Sequence, residues 1–258
     1  MKRWILFGTL LGLSLAGPAA PTAAADRQQA VTFEKTVSRR VNLRHLVYLP
    51  TGYEADTTRQ WPLILFLHGS GERGNELERV KVNGLPKELA AGREVPAIVL
   101  SPQCPAGAQW AGDRMVDDLD ALLADALVRY RVDPRRVYVT GLSMGGFGTW
   151  ALAAAHPERF AAIAPVCGGG NPELAGRMRR LPIWAFHGAK DDVVPPANLT
   201  EMAEAMARVE GDMRTTLYPD AGHDAWSATY ANPEFYTWLL GQVKTEPALL
   251  DLRHATAT

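Results

Sequence analysis

Six apolar runs constrain this chain more than any other feature: "WPLILFLHG" (61–69), "VPAIVLSPQ" (95–103), "RRVYVTG" (135–141), "RFAAIAPVCGGG" (159–170), "LPIWAFHG" (181–188) and "MRTTLYPDAGH" (213–223). A strand with one wet face alternates polar and apolar residues. Runs that are apolar at nearly every position have both faces covered, the condition of a parallel strand in an α/β protein. Helical spacing fills the gaps: "MVDDLDALLADALVRYRVD" ending near Pro134, "SMGGFGTWALAAAHPERF" stopping at Pro157, "NLTEMAEAMARVEG" with Gly211 as its stop, and "NPEFYTWLLGQV". Strand–helix alternation of this kind predicts a mostly parallel central sheet with helices on both faces. Two strand-like runs in "VTFEKTVSRRVNLRHLVYLPTGY" (31–53) bring the sheet to about eight strands.

With 258 residues, 47% of them hydrophobic, the chain can bury the core of one such domain, placed at residues 26–243. Residues 1–25 read as a signal peptide: Lys2 and Arg3, an apolar centre "WILFGTLLGLSLAG", then an A-x-A site at Ala23 and Ala25. The apolar centre falls short of the ~20 residues a spanning helix needs, so no membrane attachment is expected after cleavage, and the protein is expected in a periplasm or outside the cell. Residues 244–258 read as a flexible tail. A formal net charge of −1, with no basic run longer than Arg179-Arg180, argues against a nucleic-acid partner. Cys104 and Cys167 fall at the ends of non-adjacent strands, which favours free buried thiols over a disulfide.

In sheets of this type the chemistry collects at the carboxyl ends of the strands. There the chain places "GLSMGG" (141–146). A strand runs into Gly141, Ser143 follows, and Gly145 and Gly146 precede a helix. A nucleophilic serine works from a sharp strand-to-helix turn, where side chains two residues away on either side would strike backbone; hence G-x-S-x-G. The helix N-terminus behind Ser143 adds a field that favours a developing oxyanion. Of the six histidines, His223 alone lies in a loop after the last strand, where it can swing toward Ser143 as the base. Asp191 and Asp192, in "HGAKDDVVPP", both qualify by position as the carboxylate behind it. The oxyanion hole takes the N–H of Met144 and, from "HGSGERG", that of Ser70. Trp110 and Trp226 follow strand ends and either line the mouth of the site for an aryl or sugar group or pack the rim. Glu72 and Arg73 are expected to pair within their loop. Neither a metal nor an organic cofactor is required, since there is no H-E-x-x-H and no paired-cysteine motif.

"FLHGSGERG", "SPQCP", "GLSMGG", "APVCGGG", "FHGAKDDVVP" and "AGHDAW", in that order, resemble the α/β-hydrolase superfamily. The likeness is to its carboxylesterase branch, with acyl-thioesterase/phospholipase-like enzymes, feruloyl esterases and the "predicted peptidase" group. The resemblance implies an α/β-hydrolase fold, and the nucleophile, acid and base fall on Ser143, Asp191 and His223. It selects Asp191 over Asp192, because the family's acid is the Asp of H-G-x-x-D-x-x-V-P. Dienelactone hydrolases share the fold with a cysteine nucleophile, and Ser143 argues against that activity. Only "NPELAGRMRR" and its edges separate Gly170 from Leu181, too little for a large cap domain, so the cleft is expected to be open to small or polymer-attached esters. The implied reaction is hydrolysis of short-acyl, aryl or carbohydrate-linked esters through an acyl-enzyme. A serine peptidase of prolyl-oligopeptidase type, a non-catalytic binding protein of the same fold and an acyltransferase are the competing readings.

Overall fold

The computed structural model describes residues 38–244, together with Thr32 and Glu34. The segments read as signal peptide and most of the tail, along with the first of the two early strand-like runs, lie outside the described residues.

Within the unit that begins at Arg40, seven strands form one sheet in the order β1-β3-β2-β4-β5-β6-β7. They are β1 His45–Tyr48, β2 Trp61–Leu67, β3 Ile98–Pro102, β4 Val132–Leu142, β5 Ala162–Val166, β6 Ile183–Gly188 and β7 Met213–Tyr218. Only β1 runs antiparallel, against β3. The apolar runs behave as their composition requires: every residue of β2, β3, β5 and β6 is buried, whereas the edge strands β1 and β7 are partly wet. Seven strands among the described residues replace the expected eight.

The two-residue period of the strands divides the core. Leu63, Leu65 and Leu67 face one layer, with α2 (Asp113–Arg129), α3 (Met144–Ala155) and α4 (Ala197–Arg208) packed on it. Ile64 and Phe66 face the other, covered by α1 (Gly84–Ala90), α5 (Trp226–Ala231) and α6 (Pro233–Gly241). At about 1.5–3 kcal/mol for each large apolar side chain taken from water, these two layers supply most of the drive to fold.

Three local expectations change. The second helix ends at Arg129, and β4 begins at Val132, so Pro134 lies inside a strand. Proline cannot donate to a ladder, and β2–β4 pairing accommodates it by shifting register, from Trp61↔Val132 to Leu63↔Val137. After α4 the left-handed residue is Glu210, with φ 53°, and not Gly211. The short helices α1 and α5 lie in segments where the sequence reading named no helix, because each is too short to display a period.

Among the described glycines, Gly145 has the least room for a side chain, where β2 meets the start of α3. A Cβ placed on Gly145 would lie 1.9 Å from the carbonyl oxygen of Leu67, and one on Gly141 would lie 2.5 Å from that of Gly145. Gly145→Ala is therefore expected to destabilise the protein by roughly 2–3 kcal/mol or more, since backbone on both sides must move. Gly176→Ala, which meets nothing within 4 Å, should stay within about 0.5 kcal/mol. Urea-unfolding midpoints of the two variants check this.

Candidate active site

Ser143 joins β4 to α3 with φ 52° and ψ −117°, a left-handed backbone rare for a residue with a side chain. Its N–H donates to the Val166 carbonyl at 2.9 Å, and its carbonyl accepts from Phe147 N–H at 3.1 Å. The strained turn is thus held by β5 on one side and by the first turn of the helix on the other. Strain held in place this way projects the hydroxyl off the sheet.

His223 and Asp191 meet because their loops are knitted together by backbone. Ala189 N–H donates to the Tyr218 carbonyl and Lys190 N–H to that of Ala221, each at 2.9 Å. Gly188 comes so close to Gly222 that a Cβ on it would lie 2.0 Å from the Gly222 oxygen. In the resulting geometry the Ser143 hydroxyl lies 2.9 Å from Nε2 of His223, and Nδ1 of His223 lies 2.8 Å from Oδ2 of Asp191. With the proton on Nδ1, the ring donates to the carboxylate and Nε2 is left to accept from the hydroxyl.

Asp191 has a fully buried side chain, and burial alone would raise its pKa. The His223 hydrogen bond, followed by the amides of Val194 and Val193 at 2.9 and 3.0 Å on Oδ1, outweighs burial and holds the carboxyl below its usual range. Asp192, next in sequence, is exposed. Asp220 pairs with Lys190 at 2.8 Å, and Asp224 accepts from Ser227. Neither takes part in the cluster.

Ser70 opens a 3-10 turn, Ser70–Glu72, and Met144 is the first residue of α3, so each N–H is a donor of the kind that a helical start leaves unpaired. Gly69 brings the loop beside the serine: a Cβ on it would lie 3.7 Å from Cβ of Ser143. Buried side chains hold this loop still. His68 accepts Cys104 N–H on Nε2 at 2.9 Å and donates from Nδ1 to the Gly69 carbonyl at 2.6 Å. Burial pushes the His68 pKa down, which keeps the ring neutral in this role. The Gln103 side-chain amide donates to the carbonyls of Glu72 and Glu76 at 2.8 and 2.9 Å.

Two expectations near the site are corrected. Trp110 does not line the mouth: it is fully buried, its Nε1 donates to the His68 carbonyl at 3.0 Å, and its ring packs edge-on against His68. Glu72 and Arg73 do not pair with each other. Glu72 is buried and accepts from Asn83 at 2.6 Å, while Arg73 donates to the carbonyls of Ser70 and Ala108. Trp226 stands perpendicular to the His223 ring, centroids 5.2 Å apart, and buttresses the imidazole. Sequence reading missed Gln103 and Asn83 as struts and gave Arg73 a different partner; of the three only Gln103, directly after β3, carried a signal in its place at a strand end.

Cys167 also belongs to this neighbourhood. Its backbone is left-handed, with φ 48°, and its thiol donates to the His223 carbonyl at 3.1 Å. Its sulfur and the ligand atoms of Asp191 and His223 lie within 4.8 Å of one another, but the imidazole and carboxylate are already committed to each other. A groove of about 670 Å³ flanks α3, running from Phe147 and Gly169–Gly170 past Trp150 to His156. It starts one helical turn from Ser143 and none of the three clustered side chains lines it.

The sequence profile of the dienelactone hydrolase family matches residues 105–234, half of the chain and a span that contains Ser143, Asp191 and His223. The chain belongs to that family. A thermostable esterase of known structure is 31% identical, with a TM-score of 0.70, over 78% of this chain and 60% of that one. A probable feruloyl esterase C from Aspergillus terreus is 27% identical over 80% of this chain and 76% of its own length. A poly(3-hydroxyalkanoate) depolymerase C from Paucimonas lemoignei is 27% identical over 66% of this chain, which spans about half (49%) of that protein. The matched family and these relatives are named for hydrolases and esterases, and the sheet with its helices is that of the α/β-hydrolase fold.

Both cysteines are free and buried. Burial pushes the thiol of Cys104 up to about 11 and that of Cys167 up to about 12. A raised value keeps both protonated far above neutral pH, and only the thiolate attacks disulfides. Ellman's reagent at pH 8 is accordingly expected to titrate no thiol in the folded protein and two after guanidinium unfolding.

Proposed function

We propose that this family member is an exported serine carboxylic-ester hydrolase with Ser143 as nucleophile, His223 as general base and acid, and Asp191 as the orienting carboxylate. The observation that carries the reading is the unbroken line from the Ser143 hydroxyl through both nitrogens of His223 to Asp191, at 2.9 and 2.8 Å. Ser143 attacks the ester carbonyl as Nε2 takes its proton. The oxyanion forms against the N–H groups of Met144 and Ser70. His223, now an imidazolium balanced by Asp191, protonates the leaving alcohol. Water then attacks the acyl carbonyl as Nε2 takes its proton, and that proton passes to the Ser143 oxygen as the acid leaves.

Short-acyl, aryl or carbohydrate-linked esters are the proposed substrates. Support comes from the link between β5 and β6, a single 3-10 segment at Pro172–Met178, which leaves the mouth without a cap among the described residues. The feruloyl esterase and depolymerase relatives are named for aryl and polyester substrates, which agrees with an open cleft. Removal of residues 1–25 on export rests on their charged, apolar and small-residue sequence.

Ser143→Ala is expected to lower turnover of p-nitrophenyl acetate by roughly 10⁴-fold or more with the fold intact, because the three groups act as a unit. Asp191→Asn is expected to cost far more than Asp192→Asn. A panel of p-nitrophenyl esters of rising chain length, methyl ferulate and an acetylated xylo-oligosaccharide then assigns the substrate. Amide cleavage without ester cleavage would transfer the assignment to a peptidase.

A further inference from the structure

Two buried histidines among the described residues stand outside the proposed acyl-enzyme route: His68, which holds the loop after β2, and His187. His187, on β6, has a fully buried side chain, and the motif "HGAKDD" sets it four residues before Asp191. Its Nε2 lies 2.9 Å from the Val194 carbonyl oxygen and 3.2 Å from Oδ2 of Asp191, the same oxygen that accepts from His223. Both neighbours are acceptors, so Nε2 must carry the proton. Its other nitrogen, Nδ1, is buried with no hydrogen-bond partner among the described residues, which suits a bare lone pair and no second N–H.

The turn 191–194 is consequently closed from both ends. The amides of Val193 and Val194 donate to Oδ1 of Asp191, and the carbonyl of Val194 accepts from His187. Rotating the carboxylate away from His223 would break both amide bonds and the contact of Oδ2 with the His187 N–H. We propose that His187 is a positioning residue: its Nε2–H, shared between the Val194 carbonyl and the Asp191 carboxylate, fixes the turn that aims Asp191 at His223. It also draws part of the carboxylate's charge away from His223, so two imidazoles compete for one oxygen. This rests on the assignment of Ser143, His223 and Asp191 to catalysis.

The titratable groups around the pair are few. Cys167 approaches from the end of β5, within 4.8 Å of Asp191 and His223. From the β7 side come Tyr218, which feels the Cys167 thiol, and the loop carrying His223 and Asp224, whose Asp224 carboxylate acts on Cys167. Lys190 and Asp220 pair with each other at the surface. Neither thiol nor phenol is ionised between pH 5 and 8, since burial raises both, so a shift of the acid limb there reports on the histidines and Asp191.

The test compares His187→Gln, whose terminal amide can replace the Nε2–H, with His187→Asn, whose shorter amide cannot reach Val194, and with His187→Leu. The expected result for Asn and Leu is a kcat reduced roughly 10- to 100-fold at nearly unchanged KM. Their acid limb of kcat/KM should also move up by about half a pH unit, because Asp191 then places its charge on His223 alone. His187→Gln should restore both quantities to near wild type. Loss of kcat with no movement of the limb, equal loss in all three variants, or wild-type behaviour in Asn would each overturn the proposal. If the Leu variant fails to fold, the Gln–Asn pair decides alone. Ser143→Ala, run in parallel, separates the two levels: activity retained there defeats the catalytic assignment itself, whereas an inactive serine variant beside an indifferent His187→Asn defeats only this inference.

Discussion

The carbonyl oxygen of Leu67 occupies the place where a side chain on residue 145 would begin. That backbone contact between the end of β2 and the start of α3 governs the geometry of the Ser143 half of the site. It requires the helix to begin at once after β4, which forces Ser143 into its left-handed turn. It also fixes where β2 delivers its own continuation, His68-Gly69-Ser70. Ser143 and the two amides proposed to hold an oxyanion are therefore positioned by one steric fact, and their spacing cannot drift independently.

Asp191 and His223 depend on a second backbone contact, between the loops after β6 and β7. The end of β5 ties the two assemblies together. Val166 accepts from Ser143 N–H, and the neighbouring Cys167 donates from its thiol to the His223 carbonyl while its N–H is held by Phe186. Ser143 and His223 thus hang from Val166 and Cys167, the last residue of β5 and the one that follows it. Complete burial gives β5 the rigidity such a site needs.

Much of this was legible in the residues. Continuous apolar runs announced buried parallel strands, since nothing else keeps both faces of a strand dry, and glycines flanking Ser143 announced the turn. His223 stood out by its place after the last strand. What stayed hidden has physical reasons. Pro134 reads as a helix stop or a turn, and only a register shift in β4 allows it inside a strand. A tryptophan after a strand end looks like a wall of the site until its N–H is found bonded to a backbone oxygen, as for Trp110. The struts Gln103, Asn83 and Arg73 act through backbone carbonyls or one buried carboxylate, and such pairings leave no periodic trace in a sequence.

The two cysteines are closed into separate parts of the core, as protonated thiols with no covalent tie between them. Folding therefore waits on no oxidant and no disulfide isomerase, and the native state has no bond that glutathione could cut. The protein is indifferent to the redox poise of its surroundings, so a reducing cytoplasm and an oxidising exterior would support the same architecture equally well.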